Sequence, residues 1–412
     1  MRSASDVNDP YGLSHPETRQ DPYPVYDRLR REAPAYFSEA WKGWIITRYA
    51  DVLAGFRDPR LSSNRSTMFT QRLPPPMREH LLPLTRNISS WALMADPPTH
   101  TRLRSLINKA FTPRMAELLR PRIHSLVDEL LDAARDAGNV DIVRDLATPL
   151  PVVVIGEMLG LPREDRHRLK HWSDALAAFM GARQMNPALV DQVLRAIREM
   201  EGYFREIIAQ RSQRPGEDLL SALITAEEQG SLLNEQELLS TCCMVLFGGH
   251  ETTTNLIAGG LYTLLRHPEQ LRALRESPEL MPSAVEELLR FESPVQRMAR
   301  TVVEDFELHG QTLRKGDLVF LLMPSANRDP EQFPEPDRLD VSRKDNRHLA
   351  FGMGIHFCVG AALGRMEAQL AFGALLRRFP EVQLTGPMPR WMDNVTIRGL
   401  ESLPVHLGMP RD

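Results

Sequence analysis

Cysteine is the scarcest chemistry in this chain, with three residues among 412. That number builds no disulfide framework and suits a reducing compartment. Cys242 and Cys243 are adjacent inside an apolar run, so neither offers the Cys-x-x-Cys spacing of a zinc site, and core positions are expected for both. No uncharged run of about 18 residues is present, as a membrane-spanning helix would require. Residues 1–10 hold no apolar core of the kind a signal peptide needs, and a cytoplasmic location is expected. A net charge of −4 gives no bulk attraction for nucleic acid or an anionic membrane. Gly/Ser-rich linkers and internal repeats are also missing. Although the length admits two or three domains, one domain over residues 1–412, acting as a monomer, is the simpler expectation.

Helical periodicity dominates what is there. Segments 21–32, 99–110, 114–137, 152–159, 187–213, 234–266, 268–275 and 361–379 place apolar residues at helical spacing. Runs with strand character are short, at 35–37, 43–47, 301–303 and 317–322. The 32 prolines are scattered through candidate loops, where they end helices and stiffen turns. This pattern predicts a mainly α fold with small β-sheets. With 42% hydrophobic residues, the chain is large enough to enclose a sizeable organic cofactor.

The third cysteine has a different setting. Phe351-Gly352-Met353-Gly354-Ile355-His356-Phe357-Cys358-Val359-Gly360 sets Cys358 in a glycine-punctuated loop running into the helical segment 361–379. Glycine permits conformations and close approaches that a Cβ forbids. A cysteine just before a helix N-terminus meets a dipole and free N–H groups that favour the thiolate, which is the metal-binding form. These residues form a loop suited to an anionic sulfur.

The longest helical segment opens with Asn234 and Glu237 at the spacing of a capping box and closes at His267-Pro268. Its length would be roughly 50 Å, enough to cross a domain. Its middle, Gly248-Gly249-His250-Glu251-Thr252-Thr253-Thr254, is a poor helix former, since each Gly costs about 1 kcal/mol relative to Ala. Two explanations stand. The glycines let a neighbouring helix approach and the threonines bond back to carbonyls one turn earlier; or a local loosening near Gly248 leaves room for a small molecule, with Glu251 and Thr252 as an acid and an alcohol for proton relay. The zinc pattern His-Glu-x-x-His fails, because Thr254 occupies the last place.

Three further motifs follow. Glu287 and Arg290, at i and i+3, share a helix face, with Ala326-Asn327-Arg328-Asp329-Pro330 and Phe333-Pro334-Glu335-Pro336-Asp337-Arg338 downstream. His100 and Arg104, four apart behind Asp96-Pro97-Pro98, point the same way from a helix. Arg300 lies in Arg297-Met298-Ala299-Arg300-Thr301.

In this order and at these separations the motifs resemble the cytochrome P450 superfamily, the haem-thiolate monooxygenases. The resemblance runs from Asp21-Pro22-Tyr23-Pro24 to the closing 398–405 segment, and Phe-Gly-x-Gly-x-His-x-Cys-x-Gly resembles that family's haem-binding loop. It implies haem b, iron protoporphyrin IX, with Cys358 as the metal ligand. His100, Arg104, Arg300 and His356 are implied as propionate partners, Gly248 as a cofactor-facing position of a long helix crossing over the haem, and Glu251 and Thr252 as the catalytic pair. Glu287 and Arg290 are implied as structural, holding the cysteine loop. The implied reaction inserts one oxygen atom of O₂ into an organic substrate. Electrons are implied to come from NAD(P)H through a separate ferredoxin and ferredoxin reductase, since no flavin or iron–sulfur domain is fused. Arg102, pointing away from His100, is a candidate contact for an acidic redox partner. His356, where membrane-anchored members usually have Arg, points to the soluble bacterial type. A peroxide-driven peroxygenase would dispense with Glu251 and Thr252, and a noncatalytic recruitment module tends to lose the cysteine or the acid–alcohol pair. This chain keeps both.

The same resemblance places the substrate pocket at Met94, Met180, Met244, Phe247, Val295, Met298 and Val395. Flexible methionines allow adaptation to bulky ligands. A macrolide, polyketide, terpenoid or steroid-like substrate, hydroxylated or epoxidised, is expected.

Overall fold

The computed structural model describes residues 9–69, 75–137, 140–182, 186–227 and 230–409. Residues 1–8, weighed above for a signal sequence, lie outside the described residues. Two compact units are present, each assembled from separated stretches of chain. Among the described residues no helix is long and apolar enough to cross a membrane.

One unit gathers Met1–Ser63, Asn255–Cys358 and Leu375–Asp412. Its five-stranded sheet runs Ala35–Ser38, Gly43–Ile46, Leu318–Leu321, Met298–Val302, Leu61–Ser62. All neighbours are antiparallel except Gly43–Ile46 and Leu318–Leu321. These central strands are buried at every position, so they read as continuous apolar runs rather than alternating ones. Ile46, Val302, Val319 and Leu321 join Val52, Phe56, Phe333 and Leu349 in one apolar core. The strand expected at 301–303 begins earlier, at Met298, and pairs Arg300 with Val319.

A buried ion pair organises the rest of this unit. Helix Met281–Phe291 carries Glu287 and Arg290, both at 0% exposure. Arg290 Nε donates to Glu287 Oε2 and Nη2 to Oε1, each at 2.8 Å. Arg290 Nη1 donates onward to the carbonyls of Asn327 at 2.9 Å and Pro336 at 2.8 Å. Glu287 accepts further bonds from the Asp340 N–H, the Arg343 guanidinium and the Asn346 amide. The Asn327 side chain then accepts from the Leu349 N–H at 2.7 Å, just before the glycine-punctuated loop, and donates to Ser293 Oγ at 2.9 Å.

The other unit, Asn64–Thr254 with Val359–Ala374, is helical. Helix Pro149–Met158 is buried on nearly every side, as a helix apolar all round must be. Helix Arg166–Gly181, absent from the expected set, packs against Pro187–Gln213. Helix Glu235–Arg266 has 32 residues. It opens with a reciprocal capping box, in which Asn234 Oδ1 accepts from the Glu237 N–H at 2.9 Å and Glu237 Oε2 from the Asn234 N–H at 3.0 Å. The helix continues unbroken through 248–254, so the local loosening expected there does not occur. Its i→i−4 ladder tolerates the glycines because tertiary packing, not propensity, supplies most helical stability.

Breaking a buried pair by removing one partner leaves an uncompensated charge and costs about 3–5 kcal/mol. Arg290→Ala should therefore lower the unfolding free energy by that amount in urea titrations, with a loss below about 1 kcal/mol counting against the ion pair as the organiser.

Candidate functional site

The three cysteines occupy opposite environments. Cys242 and Cys243 lie at 0% exposure on the long helix; burial pushes the Cys243 thiol up to about 12 and Cys242 well above its usual range. Such thiols stay protonated and inert. Cys358, by contrast, is exposed on its loop. Gly352 and Gly354 take φ of +69° and +73°, left-handed values that only glycine adopts without strain. A Cβ on Gly354 would also come 3.3 Å from the Phe56 carbonyl oxygen. The loop closes on itself, with the Cys358 N–H donating to the Phe351 carbonyl at 3.0 Å and the Phe357 N–H to Gly354 at 3.1 Å.

The same unit holds five other residues of interest. The His356 ring is hydrogen-bonded to Ser63 Oγ at 2.9 Å. Arg300 is 2% exposed, donates from Nη1 to the Ala299 carbonyl at 2.9 Å, and lies 5.5 Å from the Phe56 ring centroid. Val295 and Met298 are half-buried against the apolar core. Val295 forms a β-bridge with Ile397, and the Gln296 N–H donates to Thr396 O at 2.8 Å, which brings the 295–298 and 395–397 segments together. Val395 itself is half-buried.

In the helical unit the two adjacent glycines have different surroundings. A Cβ on Gly249 would stand 2.8 Å from Ile155 Cδ1, whereas one on Gly248 would meet nothing within 4 Å. Gly249 thus serves helix packing and Gly248 faces open space. Thr252 Oγ1 donates back to Gly248 O at 2.9 Å, so the packing explanation holds at Gly249 and Thr252, and the space beside Gly248 exists without a loosened helix. Glu251 is 9% exposed, and burial together with the nearby Asp174 carboxyl pushes it up to about 8. His250, 1% exposed, is pushed down to about 4 by burial and stays neutral.

Met94 is buried, and Met180, Met244 and Phe247 are half-buried; the Phe247 ring lies 5.5 Å from that of Trp91. His100 and Arg104 share helix Thr99–Ala110, where burial and the Arg104 charge both lower the His100 pKa. Such a basic pair is a setting that an anionic group stabilises. Arg102 corrects an expectation: its guanidinium is committed to Glu237 and to the Leu232 carbonyl rather than held out for a partner.

Asp174 was missed in the sequence. Its helix carries Leu169, Trp172, Leu176 and Phe179 at helical spacing, a signal that was legible. Its approach to Glu251, on another helix, was not.

A family model for cytochrome P450 matches residues 37–396. The cytochrome P450 monooxygenase PikC of Streptomyces venezuelae is 44% identical over 395 residues, covering 93% of this chain and 91% of its own. The polyketide biosynthesis cytochrome P450 PksS of Bacillus subtilis is 40% identical over 410 residues, covering 96% and 98%. The solved structure of P450BioI, in complex with an acyl carrier protein bearing hexadec-9Z-enoic acid, superposes with a TM-score of 0.89 at 37% identity, over 96% of this chain and all of that one. With agreement in sequence and fold over nearly its whole length, the chain belongs to the cytochrome P450 family, as a monooxygenase of the bacterial type.

Proposed function

We propose that this P450 binds haem b through Cys358 and inserts one oxygen atom of O₂ into a bulky apolar substrate by hydroxylation or epoxidation. The carrying observation is that Cys358 alone among the three cysteines is exposed, on a glycine-shaped loop backed by a buried ion-pair network.

Other residues fit the same group. Cys358 offers the soft thiolate that haem iron takes in this family. The open space beside Gly248 is one a Cβ would fill. His100, Arg104, Arg300 and His356 are basic side chains proposed for the two propionates, whose charges need partners away from water. Bound there, the haem would supply the redox chemistry of O₂ activation.

The remaining work falls to this chain's side chains. Glu251 holds a proton at its carboxyl at neutral pH. Thr252 gives its hydroxyl hydrogen to Gly248 O, which leaves its oxygen lone pairs to orient a proton-donating neighbour. Met94, Met180, Met244, Phe247, Val295, Met298 and Val395 are proposed to line the substrate and exclude water. A polyketide is the favoured class among the macrolide, polyketide, terpenoid and steroid candidates, supported by likeness to a relative named for polyketide biosynthesis. NAD(P)H would feed electrons through a ferredoxin and its reductase in the cytoplasm, with residues 1–412 acting as one monomeric P450 domain.

Cys358→Ala should abolish the red-shifted band of the reduced carbon monoxide complex, and its survival would exclude Cys358 as the ligand. Thr252→Ala should lower product formed per NADPH by about tenfold or more while peroxide release rises; unchanged coupling would refute the relay. Gly248→Ala should stabilise the haem-free protein by about 1 kcal/mol through helix propensity, yet weaken haem or substrate binding in spectral titrations. A Gly248→Ala protein that binds both as before would remove Gly248 from the site. Screening polyketides for ligands that shift the haem absorption band tests the substrate class.

A further inference from the structure

Helix Arg166–Gly181 brings Asp174 against two neighbours on the long helix. One side-chain atom from each of Asp174, His250 and Glu251 lies within 4.8 Å of the others, and His250 Nδ1 stands 3.6 Å from Glu251 Oε1. That separation is beyond hydrogen-bond reach. It matches the spacing of donors around a tetrahedral zinc ion, whose ligands at about 2.0–2.2 Å from the metal stand about 3.4 Å from one another.

His250 is the residue that points to a ligand. It is 1% exposed, and neither ring nitrogen has a hydrogen-bond partner among the described residues. Buried polar groups normally have one, so this imidazole offers a lone pair beside two carboxyl groups with nothing to bind. Burial keeps the ring neutral, which is the form that coordinates metal. An imidazole nitrogen with two carboxylate oxygens suits zinc, whereas magnesium and calcium take all-oxygen sets.

The way in lies at Asp174. Its side chain is 42% exposed, with Oδ2 at 2.5 Å from Lys170 Nζ, so this edge already holds a cation. The Lys170 side chain is itself 43% exposed and turns into solvent when another cation replaces it. Helix Pro149–Met158 meets this turn of the long helix through Ile155, which brings no competing charge.

We propose that Asp174, His250 and Glu251 form a binding site for a zinc-class divalent cation, with water completing the coordination. The ion takes the His250 Nδ1 lone pair and one oxygen from each carboxylate, and any carboxyl proton leaves to solvent. No electrons move. The effect on turnover rests on the reading of Glu251 as the proton donor, because a carboxylate held by zinc has no proton to give. Zinc at this site is therefore an inhibitor.

The test adds zinc to the holoenzyme and measures bound metal by equilibrium dialysis beside product formed per NADPH. One zinc per chain should bind, and product per NADPH should fall several-fold as the site fills, with magnesium at the same concentration doing neither. His250→Leu should weaken zinc by about tenfold or more, as the loss of even a supporting partner does, and should keep its own coupling when zinc is added. Asp174→Asn should also weaken zinc, and reads the site even where His250→Leu fails to fold. Lys170→Gln removes the competing ammonium and should tighten it. Zinc bound equally by the parent and by the His250 and Asp174 variants, or magnesium bound as tightly, would overturn the site. Zinc lost in those variants, yet leaving the parent's coupling unmoved when bound, would overturn the donor reading of Glu251 while the site stands.

Discussion

The guanidinium of Arg290, at 0% exposure, gives parallel hydrogen bonds to Glu287 and extends to the backbone carbonyls of Asn327, Pro336 and Arg338. Charges this deep are tolerated only when the geometry is good and the remaining donors and acceptors are satisfied. Those partners come from the 327–346 stretch, and Asn327 carries the connection to Leu349. The pair adds little net stability against an apolar substitute, yet it dictates the path of the chain leading to Cys358. A loop that must present a sulfur in one position needs such a second layer of support.

A second buried glutamate has the opposite company. Glu287 faces guanidinium groups from Arg290 and Arg343, whereas Glu251 faces the Asp174 carboxyl, with the Lys170 cation one step beyond it. The first arrangement fixes structure. The second, with burial, pushes the Glu251 carboxyl up to about 8. The cysteines divide by the same logic of burial: Cys242 and Cys243 are silenced on the long helix, and Cys358 is left exposed.

Helices were the most legible part of the fold. The 99–110 and 187–213 segments appear with the boundaries their periodicity and flanking residues predict. For the second, Asn186 accepts from the Leu189 N–H at 2.9 Å and Pro187 opens the first turn, both local signals. Helix Arg166–Gly181 escaped notice because the basic 166–171 run obscured an apolar stripe that was nonetheless present. In the 248–254 segment the poor helix formers were visible, but which glycine served packing was not. Only the position of Ile155 separates Gly249 from Gly248. Arg102 shows the same limit, since its pairing with Glu237 joins residues far apart in the chain.

Local sequence by itself determined the helical class, the capping box at Asn234 and Glu237, the glycine-shaped loop around Cys358 and the order of motifs that marks the family. The order of motifs is read along the chain, and the others depend on residues a few positions apart, where periodicity, φ preferences and hydrogen-bond reach suffice. Tertiary structure alone decided that Gly248 is open, that Arg102 is committed and that the Glu251 carboxyl is pushed up beside Asp174. Those properties depend on burial and on charges brought together from distant segments, and neither exists until the helices have packed.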